Sequence, residues 1–348
     1  ALLATDVAFK IGNQTADDLV TFAHATLFSP SLSTLDHALQ KGFLTNFPGL
    51  NCKTLAKYPP QSVPMAKGHQ DQTRKKQRST RIPMDPPAIV NDDTDTNPTG
   101  TEPVTHECFA CIFSPTGQIH SDHTGQFITH SSTGNNYIMV VYDYDSNHIF
   151  ADAFKNRTAE CLLSSYKTIH QRLCKAGLRP RLQRLDNEAS QTLKDFMRKK
   201  NIDFQLAPPH CHRRNSAERA IRTWKNHFIA GLASTDKQFP LHLWDRLIPQ
   251  AVTTLNLLRK SRLNPHLTAN AKLNGTFDYN RTPMAPPGTR VILHETPAQR
   301  DTWAAPGQRG WSIAPALQPY RTSPLYLPNT PADRTRRPHY ISPTPAPR

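Results

Sequence analysis

Three acidic residues, Asp122, Asp186 and Glu218, stand at positions from which a folded core could bring their carboxylates together. Asp122 follows a predicted strand over residues 118–121, Asp186 follows a second over 181–185, and Glu218 lies in the first turn of a predicted helix. Two Mg²⁺ ions about 3.5–4 Å apart stabilise both reacting oxygens in phosphoryl transfer. Because Mg²⁺ prefers hard oxygen ligands, three converging carboxylates predict a two-metal site of this kind.

Each of the three acids also has a structural interpretation. Asp122 is a common turn-forming residue in its context, and Asp186 could simply end a strand. Asn215-Ser216-Ala217-Glu218 resembles a capping box, in which Glu218 would bond the amide of the capping residue. Taken singly, each acid is more often structural, but their joint order of strand, strand, helix favours the catalytic interpretation.

The elements that must position these acids lie within residues 105–235. Hydrophobic periodicity predicts three strands, then helix, strand, helix, strand and helix. The first helix is marked by Thr158 as its cap and Gly177 as its end. Residues 104–113 are predicted to form a hairpin with the strand that precedes Asp122. This order indicates an α/β fold, with antiparallel strands extended by parallel βαβ crossovers and covered by helices.

The flanking sequence differs in texture from this core. Thr15 and Ser33 are candidate caps of two N-terminal helices, and Gly42 is a candidate end of the second. A basic run over residues 74–78 indicates either a nuclear-import signal or a solvated linker. The predicted divisions are a helical segment (1–63), a disordered linker (64–104), the catalytic core (105–235), a helical extension (236–285), a small β module (286–321) and a disordered Pro-rich tail (322–348).

The composition favours a nucleic-acid-binding protein over a membrane protein. The 42 Lys and Arg exceed the 27 Asp and Glu, so the 348-residue chain carries a net charge of +15 and favours nucleic acid as a partner. No apolar run approaches the roughly 20 residues of a membrane helix, so we expect no membrane association. Six Cys in a chain this long indicate a reducing compartment. The opening Ala-Leu-Leu, without Met, suggests a segment of a longer polyprotein.

Five ordered motifs resemble the integrase core of copia-type LTR retrotransposons, a group with retroviral-type integrases. They are Ile119-His120-Ser121-Asp122-His123-Thr124-Gly125, Gly134-Asn135-Asn136-Tyr137-Ile138, Leu185-Asp186-Asn187-Glu188, Pro208-Pro209-His210 and Asn215-Ser216-Ala217-Glu218-Arg219. The resemblance implies a ribonuclease-H-like fold, a mixed sheet flanked by helices, and makes Asp122, Asp186 and Glu218 the metal-binding catalytic acids.

The same resemblance implies two Mg²⁺ (or Mn²⁺) ions per site and DNA, both element ends and host target, as the partner. It also implies a homo-oligomer that functions in the nucleus after a cytoplasmic particle stage. The N-terminal segment resembles a pre-integrase region, and residues 239–320 resemble the C-terminal extension of the family.

Two features depart from the family pattern. Residues 187–217, 31 in number, separate the second and third acids, which is fewer than is usual, and Glu188 could compete as a ligand. The family often carries an N-terminal His-His-Cys-Cys zinc module. Here His24, His37 and Cys52 lack a second nearby Cys, and Cys108 and Cys111 lie in a predicted strand. A tetrahedral site needs four ligands at compatible spacing, so no zinc is expected.

A run of basic residues surrounds Glu218. The candidates for phosphate contacts along DNA are Arg213, Arg214, Arg219, Arg222 and Lys225. The alternative is a solvated helix face with an ion pair between Glu218 and Arg222. For the whole chain, the alternatives to an active integrase are a catalytically inactive DNA-binding relic of a retroelement and a ribonuclease H-type nuclease.

Overall fold

The computed structural model of the chain describes residues 15–70, 115–185, 190–206, 216–294, 302–303, 305–315, 323–328 and 335–336. The chain divides into two compact units, Ala1–His69 with Pro115–Arg348, and Gln70–Ser114. All helices and strands given below belong to the first unit. The predicted hairpin over residues 104–113 lies outside the described residues.

Four short helices precede the core. They are α1 (Ala16–Thr26), α2 (Leu32–Gln40), α3 (Cys52–Lys57) and α4 (Val63–His69). Thr15 caps α1 as predicted, through a capping box in which Thr15 and Asp18 each bond the other's main-chain amide. Gly42, with φ +68°, ends the second helix region as predicted. However, α2 has Ser31 at its cap position, so the predicted cap at Ser33 is wrong.

The predicted start of the linker at residue 64 is also wrong, because α4 continues to His69. Pro64 suggests a boundary, but a proline in the first turn of a helix costs no internal hydrogen bond. The close approach of Gly68 to Ala230 shows that α4 packs directly on a core helix. Tertiary packing therefore stabilises a helix that its own sequence marks weakly.

A five-stranded mixed sheet forms the core. Its strands are β1 (Gln118–His123), β2 (Tyr137–Asp143), β3 (Ile149–Phe154), β4 (Leu182–Leu185) and β5 (Asp203–Leu206), in the order β3-β2-β1-β4-β5. The first three strands are antiparallel, whereas β4 and β5 are parallel to β1. Helices α5 (Ala159–Lys175) and α6 (Gln191–Lys199) provide the crossovers, and α7 (Ser216–Ala233) follows β5. The predicted ribonuclease-H-like α/β fold is confirmed by this strand order.

Helices cover both faces of the sheet, because successive strand residues point to opposite sides. On one face, Val140 and Tyr142 pack with Trp224 of α7 and with the helices that follow it. On the other face, Ile119 and Val141 pack with α5 and α6. Thr158 caps α5 and Gly177, with φ +76°, follows its end, both as predicted.

The region after the core is helical and then β-structured. It comprises a 3₁₀ helix (Leu241–Leu247), α8 (Ile248–Leu257), α9 (Ala269–Asn274), and a sheet of β6 (Arg290–His294), β7 (Gly307–Ser312), β8 (Ser323–Tyr326) and β9 (Thr335–Arg336). Pro249 lies in the first turn of α8, where it is tolerated, and so does not interrupt the helix. The prediction of disorder from residue 322 is wrong for residues 323–328, because Leu325 and Leu327 are buried with Val291 and this burial holds β8 in the sheet. Apart from β9, the rest of the predicted tail lies outside the described residues.

Among the described helices, none combines the length and apolar character needed to cross a bilayer.

Candidate active site

Asp122 lies on the sheet face that α7 covers. It is opposite Val140 in the antiparallel pair of β1 and β2, and opposite residues of such a pair point to the same face. Val140 is buried in one cluster with Ala220, Ile221 and Trp224, which all belong to α7. The fold therefore directs the first predicted catalytic acid toward the helix that carries the third.

The Asp122 carboxylate is half-buried and only partly engaged. Its side chain is 22% exposed, and its Oδ1 accepts a hydrogen bond of 2.7 Å from the main-chain N–H of His123. The Nδ1 atom of His123 lies 3.4 Å from the same oxygen, while the His123 ring stacks on Phe154. Among the described residues, no group bonds the second carboxylate oxygen. That oxygen is available to a ligand such as a hard metal ion.

Glu218 lies in the first turn of α7, with an exposed side chain. Two and three residues further on, Ala220 and Ile221 are buried against the sheet. Within the described part of the chain, no hydrogen bond or ion pair holds the Glu218 carboxylate, and it does not pair with Arg222. The ion pair of the solvated-face alternative is therefore not formed. The capping alternative is untested, because Asn215 lies outside the described residues.

Asp186 and Glu188 lie outside the described residues, so the structure does not locate the second predicted acid. It describes the strand before it: β4 ends at Leu185, and Arg184 of β4 is the parallel partner of His120 in β1. The described residues contain no group of three or more His, Cys, Asp or Glu that could hold a metal ion. A complete metal site with three ligands is thus a prediction that the structure leaves open, as is the expected absence of zinc.

Arg184 is a candidate site residue that the sequence interpretation missed. Its partner His120 is two residues before Asp122 on β1, so Arg184 and Asp122 share one face of the sheet. The Nε of Arg184 is buried, and within the described structure it has no hydrogen-bond partner. A buried donor without a partner is costly, so this guanidinium is suited to an anionic ligand. The sequence did contain a signal for Arg184: it lies two residues before Asp186, and residues two apart in a strand lie on the same face.

A hydrogen-bonded chain on the opposite face fixes β1 beside β4. The Tyr166 hydroxyl of α5 donates to Gln183 Oε1 at 3.0 Å, and Gln183 Nε2 donates to Ser121 Oγ at 2.8 Å. Gln183 is fully buried, and burial also raises the pKa of Tyr166. Ser121 precedes Asp122 directly. Gln183, which contacts neither solvent nor the site, thereby helps to set the position of the strand that carries Asp122.

The basic residues of α7 that the structure describes point to solvent. Arg219, Arg222 and Lys225 are all exposed, on the same helix as Glu218. Arg213 and Arg214 lie outside the described residues. These three cations lie on the exposed side of α7, whose buried side covers the sheet face that holds Asp122, and they form a surface on which phosphates could bind.

Comparisons with known proteins add structural likeness only. No protein-family model and no curated protein sequence matches the chain. A crystal structure of the catalytic core domain of BIV integrase is 16% identical, with a TM-score of 0.34, over 45% of this chain and 93% of that one. The cryo-EM structure of a simian T-cell lymphotropic virus intasome, in complex with the PP2A regulatory subunit B56 gamma, is 19% identical. Its TM-score is 0.37, over 72% of this chain and 86% of that one. Because both TM-scores are low, the fold is assigned from the order and direction of the strands and not from the similarity to these two structures.

Proposed function

We propose that the chain is a retrotransposon integrase of the copia type, a polynucleotidyl transferase that inserts element DNA into host DNA. In this proposal it cuts the ends of the element DNA and then joins each new 3′-hydroxyl to the target strand. The observation that carries the proposal is the position of Asp122, whose unbonded carboxylate oxygen lies on the face beneath α7, while Glu218 occupies the first turn of that helix.

The proposed metal ligands are Asp122, Asp186 and Glu218, which together would hold two ions. All three supply hard carboxylate oxygens. One oxygen of Asp122 and the carboxylate of Glu218 have no partner among the described residues, so the donor set fits Mg²⁺ or Mn²⁺. When bound, such ions stabilise the charge on the attacking and leaving oxygens of phosphoryl transfer. Asp186 is the residue that follows β4 in the chain, and β4 is the parallel neighbour of β1.

The DNA backbone is proposed to lie along the exposed cations of α7. Arg219, Arg222 and Lys225 would bind phosphates without reading sequence, whereas Arg184 would donate to a phosphate oxygen close to the reacting bond. The net charge of +15 supports a polyanionic partner. A homo-oligomer on paired DNA ends, action in the nucleus after a cytoplasmic particle stage and origin in a polyprotein belong to the same proposal.

The test is metal-dependent joining of a short DNA duplex to a plasmid by the purified chain. Glu218→Gln should abolish joining with Mg²⁺ or Mn²⁺ while leaving the melting temperature and duplex binding intact, because a neutral amide is a poor ligand for a hard ion. Asp122→Asn should give the same loss. Glu160→Gln is the matched control, since Glu160 is also exposed in the first turn of a core helix, α5.

The outcomes separate the alternatives. Normal joining by Glu218→Gln would remove Glu218 from the site, and Glu188 would be the next acid to replace. DNA binding by the unchanged chain without any joining would favour the inactive relic. Cleavage of the RNA strand of a hybrid, again without joining, would favour the ribonuclease H alternative.

A further inference from the structure

The parallel strands β1, β4 and β5 begin at the same end of the core sheet. Helices α5 and α6 end there too, because each returns the chain to the start of the next parallel strand. The turn between β2 and β3 also lies at this end, since Asp143 of β2 is opposite Ile119 near the start of β1. Asp122 is near the other end of β1, about 13 Å along the strand from Gln118. This end of the sheet is therefore separate from the candidate active site.

Exposed cations collect at this end, which we call the basal surface. We define it by six residues whose side chains are all exposed, namely Lys175, Arg179, Arg181, Lys199, Lys200 and Arg262. Lys175 and Lys199 are the last residues of α5 and α6, where a cation also stabilises the helix dipole. Arg179, Arg181 and Arg262 lie outside the helices, so helix dipoles do not account for them.

Hydrogen bonds join the two sides of the basal surface. The Arg181 N–H donates to the Gly117 carbonyl at 2.8 Å, and the Gly117 N–H donates to Asp145 Oδ2 at 2.7 Å. The main-chain carbonyl of Asp145 accepts a further bond of 3.2 Å from the Arg262 N–H. Arg181 and Arg262 are thus connected through only two residues, and the fold fixes their relative positions.

Two of the cations are also placed by their own contacts. The guanidinium of Arg262 donates to the Tyr142 hydroxyl at 2.8 Å and lies over the ring of Tyr144, 4.0 Å from its centroid. A guanidinium that is already oriented loses little side-chain entropy when it binds a phosphate. Lys200 lies beside α5, because burial, and to a smaller extent the charge of Lys200, lowers the pKa of His170 in that helix.

The acids at this end do not neutralise the basal surface. Among the described residues there, Asp143 and Asp145 are buried and accept hydrogen bonds, whereas Asp203 at the start of β5 is exposed. Asp195 of α6 is paired with Arg198, which is not one of the six cations. The six cations therefore outnumber the other three carboxylates by two to one, and such a surplus attracts a polyanion.

The uncharged side chains at this end favour duplex DNA as that polyanion. In the described part of these strands and helices, Leu206 is the one exposed large hydrophobic residue, and it lies at the opposite end of β5. A partner protein or a bilayer would need apolar residues to bury. Single strands stack their bases on exposed aromatic rings, but a guanidinium covers each of the Tyr144 and Phe204 rings. The phosphates of a duplex need only exposed cations.

We propose that the basal surface is a second binding site for duplex DNA, separate from the surface on α7. Its cations contact backbone phosphates and read no base sequence. Helices α5 and α6 cover one face of the sheet and α7 covers the other, so one chain can hold a duplex at each place. The duplex at α7 rests on the proposed function, whereas binding at the basal surface does not require it.

The test measures the affinity of the full chain for a short fluorescent DNA duplex of random sequence at low salt. The background protein lacks the exposed cations of α7 and carries Arg219→Gln, Arg222→Gln and Lys225→Gln. It should still bind the duplex. Three further substitutions on the basal surface should then weaken binding about tenfold or more; they are Arg179→Gln, Arg181→Gln and Lys200→Gln.

A matched control removes the same charge elsewhere. Lys41, Lys53 and Lys57 are equally exposed and lie in the N-terminal helical segment, so replacing all three with Gln in the same background should leave the affinity unchanged. Thermal melting checks that every variant is folded.

Three results would overturn the proposal. The first is equal weakening by the basal and control substitutions, which would mean that only net charge matters. The second is binding of single-stranded DNA as tightly as the duplex. The third is binding of anionic lipid vesicles without binding of the duplex. Because the measurement is of binding, a chain that fails to join DNA would refute the proposed function and leave this test unaffected.

Discussion

His227 couples the packing of the N-terminal helices to pH. It lies in α7, is only 2% exposed, and stacks on the ring of Phe28 with a centroid distance of 5.3 Å. Its Nε2 lies 3.0 Å from the Thr254 hydroxyl of α8. Burial, and to a smaller extent the charge of His69, lowers the pKa of His227 to about 3. The folded chain therefore holds this imidazole neutral throughout the physiological range.

The folded chain loses stability at lower pH because His227 binds a proton in the unfolded chain and not in the folded one. An exposed histidine has a pKa near 6.5, so unfolding takes up a proton as the pH falls below that value. The contribution of neutral His227 to the free energy of unfolding is thus fully present above about pH 6.5. It declines as the pH falls toward the pKa of about 3 that His227 has in the folded chain. Between pH 7 and pH 5 the loss from His227 amounts to about 2 kcal/mol.

Urea unfolding at pH 7 and pH 5 measures this contribution when the parent is compared with His227→Gln. The variant should lose about 2 kcal/mol less than the parent between the two pH values, whatever its stability at pH 7. His148, whose pKa is also lowered by burial to about 3, is present in both proteins and cancels. His266→Gln, at an exposed position, is the control and should change nothing. An identical loss in parent and His227→Gln would refute the burial argument.

Two further predictions concern the proposed DNA site. Arg222→Gln should lower the log–log salt slope of duplex binding by about 0.9, whatever the DNA sequence, because the protein then neutralises one phosphate fewer; an unchanged slope would mean that this face of α7 does not contact DNA. Arg184→Met keeps the length of the side chain and removes a half-buried donor without a partner. It should therefore reduce joining about 100-fold while the melting temperature stays level or rises. Full joining by Arg184→Met would exclude a role at the reacting phosphate.

The core of the fold could be predicted because its signals are local. The cap at Thr15, the cap at Thr158 and the glycine at Gly177 each satisfy a helix end through neighbouring residues. The alternating and helical periods indicate the strand and helix order, and the crossover rules restrict how those strands can pair. None of these inferences needs a contact between distant parts of the chain.

Two of the errors, the start of the linker at residue 64 and the disorder predicted at β8, arose where distant contacts decide the structure. Helix α4 is ordered by its packing on α7, more than 150 residues further along the chain, as Gly68 and Ala230 show. Strand β8 lies in Pro-rich sequence that local rules interpret as disorder, yet the burial of Leu325 retains it in a sheet. The side-chain amide of Asn256 in α8 bonds the main chain of Ile149 in β3, which lies 107 residues earlier in the sequence. No local pattern could have revealed this contact.

In the candidate site, the acids can be predicted from local sequence, whereas the groups that support them can be identified only from contacts between distant parts of the chain. Asp122 can be found because an acid at a strand end is visible in sequence, but Arg184 emerges only once β1 and β4 are paired. The pairing itself depends on Gln183, which faces away from the site and bonds both Ser121 and Tyr166. Because β1 carries Ser121 and Asp122 on opposite faces, a bond that is buried on one side holds the carboxylate steady on the other. The position of Asp122 is thus supported by a polar contact that takes no part in the proposed chemistry.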